Sequence, residues 1–264
     1  MDLVILFAIG VLCVRICILV VIIILSYRLI GRYENKLAPV FFTFSMVSWL
    51  FSDLYWITYD VLRPDTRMPF AANEFGEWAI FLLLAAGVNA MYRSENGKAV
   101  REMLLAGLFV LCNVAFWIGW SGEWLEDVVT GLVFGLFVCT IVEKLKTKEI
   151  LTGWEWNGLG IACLLLVLLQ GATFHAPDRI RQVLDACCYV ILFAGIAFFG
   201  CKTFLSLCRP QKRGDAYLLA LSTSAWLKIS LYQSAGIAYN AILLIDTVYL
   251  VVLFAAFRKE VAAK

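Results

Sequence analysis

Charge is what this sequence has least of. Only 16% of its 264 residues are Asp, Glu, Lys or Arg, while 62% are hydrophobic. A soluble domain is nearer a quarter charged and half apolar, so this composition excludes an ordinary water-soluble globular fold and indicates a membrane protein. The net charge of +2 leaves neither sign in excess, which excludes the basic footprint of a nucleic-acid-binding chain. Histidine is almost missing: His175 stands alone in "FHAPDR", so a multi-histidine metal site cannot be assembled. Cysteine is present nine times but lacks the right spacing. No C-x-x-C occurs, and most cysteines lie in apolar runs such as "VLCVRIC" (Cys13, Cys17) and "LDACCYV" (Cys187, Cys188), where they act as small hydrophobes. G-x-S-x-G, H-E-x-x-H, P-loop and G-x-G-x-x-G motifs are also absent. No catalytic residue, metal ligand or cofactor is therefore expected, and an enzymatic role is disfavoured. The opening Met1-Asp2 carries no basic stretch, so the first apolar run is expected to be a membrane span rather than a cleaved signal.

What is there is a succession of long apolar runs. A spanning helix needs about 17 to 25 mostly apolar residues. Nine runs fit: Leu3–Ile30, Ala38–Leu62, Phe70–Met91, Met103–Trp120, Trp124–Val142, Trp154–Thr173, Val183–Leu207, Ala216–Gln233 and Ile237–Phe257. The fifth is short and the last two are joined by a tight turn, so eight spans is the alternative. The basic residues alternate from loop to loop. Arg28, Arg32, Lys36, Arg93, Lys98, Arg101, Lys144, Lys146, Lys148, Lys202, Arg209, Lys212, Arg213, Arg258, Lys259 and Lys264 fall on one side, and only Arg63, Arg67, Arg179 and Arg181 on the other. Cytoplasmic loops carry the excess of Lys and Arg, so the expected fold is all-α, a polytopic bundle of nine transmembrane helices, N-terminus outside and C-terminus cytoplasmic. It forms one domain, residues 1–264, multi-pass in the cell membrane, with the lipid bilayer as its first partner.

Local patterns add detail. Trp117, Trp120 and Trp124 are expected at the outer membrane boundary, and Trp154 and Trp156 at the inner one. "GLVFG" (Gly131 to Gly135) is a G-x-x-x-G, read as close helix packing. "SMVSWLFSDLY" (Ser45 to Tyr55) shares Ser, Trp, Leu, Leu and Tyr with "STSAWLKISLY" (Ser222 to Tyr232), a weak hint of the internal duplication common in transporters. In "RPDTRMPFAANEFGEWA", Pro64 and Pro69 stiffen the loop and Asn73 is expected to cap the third helix. "GEWLED" places Glu123, Glu126 and Asp127 at the start of the fifth span, where acids suit a helix N-terminus.

The ionisable residues placed inside spans are Arg15, Asp53, Glu74, Glu77, Lys228 and Asp246. Each costs about 2.5 to 3.5 kcal/mol or more at a bilayer centre, so they should face the bundle interior and pair. At about 1.5 Å of rise per residue, Asp53 lies roughly 9 Å below the outer surface of the hydrocarbon, Glu77 about 10 Å, Glu74 about 6 Å and Asp246 about 12 Å. Lys228 comes to a similar level, and Arg15, near the midplane, reaches outward along its side chain. All converge on the outer half of the membrane, and none falls in the inner half. Matched depth on consecutive helices pairs Arg15 with Asp53 and Lys228 with Asp246. Glu74 and Glu77, at i and i+3 without a basic partner, would repel if both ionised, so one of them is expected to hold a proton. Helical spacing adds four stripes: Ser45, Trp49, Asp53, Trp56 and Asp60; Ser224, Lys228 and Tyr232; Tyr239, Asp246 and Tyr249; and Asn113, Trp117 and Trp120.

The expected site is thus a charged, aromatic-lined chamber in the outer half, built from Arg15, Asp53, Trp56, Glu74, Glu77, Lys228, Tyr232 and Asp246. Its acids outnumber its bases, which suits a small cationic or amine-bearing solute, or protons, through charge and cation–π contact. The first reading is a small-solute transporter or permease. The alternative is a membrane sensor or accessory subunit that binds a ligand outside and signals to a cytoplasmic protein partner, alone or as a homo-oligomer. A lipid-acting intramembrane enzyme ranks last, for want of a nucleophile motif. The competing structural reading is that the charges are ion pairs that hold helices in register.

Overall fold

The computed structural model of the chain describes residues 3–31, 36–62, 72–92, 99–208 and 216–262. The loop residues Arg32, Arg63, Pro64, Arg67, Pro69, Arg93, Lys98, Arg209, Lys212 and Arg213, with Lys264, lie outside them, as does the side chain of Asp60. Among the described residues there is no strand, and nine α-helices follow one another: α1 (Leu3–Ile30), α2 (Leu37–Leu62), α3 (Ala72–Met91), α4 (Val100–Ser121), α5 (Trp124–Thr147), α6 (Gly153–Thr173), α7 (Asp178–Cys208), α8 (Ala216–Tyr232) and α9 (Gly236–Ala262). Eight are long and apolar enough to cross a membrane, and the exception is α8. Hydrocarbon offers no water to the backbone, so helices that satisfy their own N–H and C=O groups are the form these runs must take. The protein is a polytopic helical membrane bundle.

Several helices outrun the hydropathy that marks them. The α5 helix continues to Thr147, α7 begins at Asp178 and α9 ends at Ala262. Hydropathy locates the hydrocarbon, whereas backbone hydrogen bonding carries a helix on into the interface. The ends have their own chemistry. Gly122 closes α4 at φ 76°, a left-handed position suited to glycine, and its N–H reaches the Ile118 carbonyl. Thr152 caps α6 in a capping box with Glu155. Asn73 lies within α3, which begins at Ala72, and its backbone carbonyl accepts the Ser52 hydroxyl at 3.1 Å.

The helices close into a ring. Neighbours run α1–α2–α3–α5–α4–α6–α7–α8–α9, and α9 returns to α1. The chain order breaks once, where α5 slots between α3 and α4. Trp78 of α3 fixes that contact with a 2.8 Å bond to Thr130 of α5. Gly131 and Gly135 face Val114 and Val110 of α4, so the G-x-x-x-G is a packing element.

The α8 helix is the most enclosed. Every residue is buried except Ser224, Lys228 and Tyr232, which are half-buried. It nevertheless runs from one end layer of the bundle to the other. At its start Tyr217 packs edge-on against Phe42 and Phe257, near the beginning of α2 and the end of α9. At its finish Tyr232 lies on Trp117, near the end of α4. A helix walled by protein need not match the hydrocarbon thickness, which explains why 17 residues suffice.

Candidate functional site

Helix α1 carries Arg15 into the interior, where it is 5% exposed. The guanidinium forks onto Asp53 of α2: Nε donates to Oδ2 at 2.9 Å and Nη2 to Oδ1 at 3.0 Å. Its remaining arm, Nη1, donates to Oδ2 of Asp246 on α9 at 3.2 Å. Trp49, one turn before Asp53, lies 5.1 Å from the guanidinium carbon and offers its ring face. The planar fork suits two carboxylates at once, which a point-charge lysine would not.

Beside this triad stands a second group. Lys228 of α8 donates to Oε1 of Glu77 on α3 at 2.7 Å, and the Tyr232 hydroxyl donates to Oε2 of the same carboxylate at 2.7 Å. The Tyr232 ring lies tilted by 33° against Trp117, with the centroids 4.8 Å apart. These side chains are less enclosed than the triad, at 15% for Lys228 and 20% for Glu77. The two groups are coupled: Lys228 is close enough to act electrostatically on Asp53 and Asp246, and Arg15 on Glu77. Asp53, Asp246 and Glu77 oppose Arg15 and Lys228, and Glu74, buried one turn from Glu77, adds a further acid. Trp56 is half-buried against the hydrophobic core.

The expected Arg15–Asp53 pair is therefore present. The expected Lys228–Asp246 pair is not: Asp246 pairs with Arg15, and Lys228 with Glu77. These contacts agree with a common level along the bundle, but the neighbours differ from those expected. Helix α9 folds back against α1, and α8 presents its polar edge to α3. Glu77 thus has both a base and a phenol, contrary to the expectation of an unpartnered carboxylate. Three further expectations change. Trp117, expected both at the outer boundary and in the Asn113 stripe, is buried at 4%, as the stripe requires, whereas Trp120, Trp124 and Trp154 are exposed. Tyr249 turns to Thr203 of α7 at 3.2 Å and away from Asp246. The opposite end of the bundle also holds ion pairs, Lys146 with Glu102 at 3.0 Å and Lys202 with Glu155.

Sequence reasoning missed one polar cluster. Near the C-terminal ends of α4, α6 and α8 and the start of α7, a cavity of about 20 Å³ is lined by Gln170, Thr173, Asp185, Tyr189 and Gln233, among others. Gln233 donates to Oδ1 of Asn113 at 2.8 Å, and its backbone carbonyl accepts from Tyr189 at 3.2 Å. Both amide atoms of Gln170 are buried without a partner among the described residues. The space suits about one water, which two amides can hold. Asp185 and Gln170 inside apolar runs were the available signal.

Toward the other end of the bundle an aromatic cluster fills the interior between α2, α8 and α9. Phe42 stacks on Phe257 at 4.0 Å, with Phe254 and Tyr217 around them. Among the described residues, no cluster of three or more His, Cys, Asp or Glu is placed to hold a metal ion. Comparison with protein-family models, curated proteins and solved structures finds no match for the chain.

Proposed function

We propose that this multi-pass membrane protein is a small-solute permease of the cell membrane, a single helical domain with its N-terminus outside and its C-terminus in the cytoplasm. Its site comprises Arg15, Asp53, Trp56, Glu74, Glu77, Lys228, Tyr232 and Asp246. One observation carries the reading. On the most enclosed helix, α8, the only side chains left partly accessible are Ser224, Lys228 and Tyr232, at helical spacing along one edge, and two of them hold the half-buried Glu77. A helix serving only as core would bury this edge in apolar contact. A polar edge that a small probe can touch, beside an excess of acids, suits a cation, a primary amine or a proton.

The test is uptake of radiolabelled methylammonium, and of protons by an entrapped dye, into proteoliposomes. Asp53→Asn and Asp246→Asn are each expected to abolish uptake. Unchanged uptake in both sinks the reading.

The aromatic seal of Phe42 and Phe257 supports a second reading. A permease needs it to open as an inner gate. A sensor that binds its ligand outside and signals to a cytoplasmic partner would keep it shut. A protein that binds amines, moves none, and co-purifies with a soluble partner would favour the sensor.

A further inference from the structure

Helices α4 and α6 stand apart along their inner halves, and a cleft of about 770 Å³ opens between them. Its walls are apolar: Leu105 and Leu108 on α4, Ile161 and Leu164 on α6, with Ala225 and Trp226 of α8 at its floor. The wall leucines and isoleucine are more than half exposed, so the cleft faces sideways, toward hydrocarbon. The volume falls within the usual range for a small-molecule site, about 300 to 1,000 Å³.

The end of the cleft nearest the α5–α6 connection is polar. Arg101 and Glu102 line it on α4, and Trp154, Trp156 and Asn157 on α6. Trp154 is 87% exposed, as an aromatic residue at the headgroup level would be. Charge at this rim is unbalanced. Oε1 of Glu102 receives both Arg101, at 3.2 Å, and Lys146, at 3.0 Å. Nearby, Lys202 and Glu155 cancel. Among these described residues three bases thus meet two acids, and the Arg101 side chain is 78% exposed, with donors to spare.

We propose that this cleft is a lipid site: it takes an acyl chain of an anionic phospholipid from the adjacent leaflet, with the headgroup phosphate beside Arg101. The apolar walls fit the chain, and the single positive excess fits the head. A zwitterionic lipid would fill the walls equally but gain less at the rim. Anionic lipids are concentrated in the cytoplasmic leaflet, and the basic loops place this end there. The site is separate from the charged cluster, so its failure would leave the permease reading untouched.

Native mass spectrometry of the full chain, delipidated and then offered phosphatidylglycerol or phosphatidylcholine of identical acyl chains, tests it. The wild type is expected to retain one phosphatidylglycerol per chain, at least tenfold more persistently than phosphatidylcholine. Gly160 lines the cleft, and a Cβ built there meets nothing within 4 Å. Gly160→Phe should therefore fold, melt like the wild type and lose retention of both lipids. Arg101→Gln, which brings the rim to neutrality, should erase the preference between them. Equal retention of the two lipids by the wild type overturns the proposal. So does undiminished phosphatidylglycerol on folded Gly160→Phe. Should Gly160→Phe not fold, an unchanged preference in Arg101→Gln overturns it alone.

Discussion

Arg15 is the residue on which the interior turns. It holds two carboxylates from helices far apart in sequence, and each is within a few per cent of full burial. Removing one partner of a buried ion pair leaves an uncompensated charge and costs about 3 to 5 kcal/mol, whereas replacing the whole set by apolar groups is often neutral. Arg15→Leu is therefore expected to lower the melting temperature sharply in detergent, and Arg15→Leu combined with Asp53→Leu and Asp246→Leu to recover much of the loss. Equal melting of wild type and Arg15→Leu would contradict this geometry. Tyr232→Phe is milder. It removes one hydrogen bond to a carboxylate, worth about 1.5 to 3 kcal/mol, and keeps the ring on Trp117. A small fall in melting temperature should accompany a larger loss of uptake.

At the scale of elements, α2 and α3 meet backbone to backbone at Gly76. A Cβ at Gly76 would meet Cβ of Ser52 at 3.0 Å and the backbone oxygen of Ser48 at 3.2 Å. Neither can move without moving α2, so Gly76→Val should push the helices apart at a cost of about 1 to 3 kcal/mol. The seam matters because Glu77 is the next residue. A thermal melt of Gly76→Val beside Gly160→Phe makes the comparison: the first should be destabilised and the second not. The helices themselves were legible in the sequence, because apolar runs long enough to span read directly as helices. Their partners were not. Depth along each run placed Asp246, Lys228 and Glu77 at a common level, but which helices touch is decided by packing over separations of 151 and 231 residues. The consecutive-helix rule gave Arg15–Asp53 correctly and failed for Lys228. Trp117 was placed both at the boundary and in the Asn113 stripe, and its burial against Tyr232 agrees with the stripe.

At the scale of the molecule, eight of the nine described helices are long and apolar enough to span, and the proposed topology has α8 cross as well, for nine passes. An odd number places the termini on opposite faces. Protease protection of terminal tags in inverted vesicles should find the C-terminal tag exposed and the N-terminal tag shielded under the loop-charge orientation. Tags on the same face would mean that α8 does not cross. The polar layer lies toward one end and the aromatic seal toward the other, while the cleft runs along the side of the bundle, with its floor residues Ala225 and Trp226 between Tyr217 and Lys228 on α8. Of these, only the polar layer could be read from sequence, since a seal and a cleft are properties of packing.

The most direct measurement is ligand-induced thermal stabilisation of the purified protein, wild type and Glu77→Gln, across alkali cations and primary amines. A cation or amine that stabilises the wild type and leaves Glu77→Gln unmoved is the predicted result. If nothing shifts either protein and Glu77→Gln merely melts earlier, the cluster is an internal clasp and the account of it as a binding site is wrong.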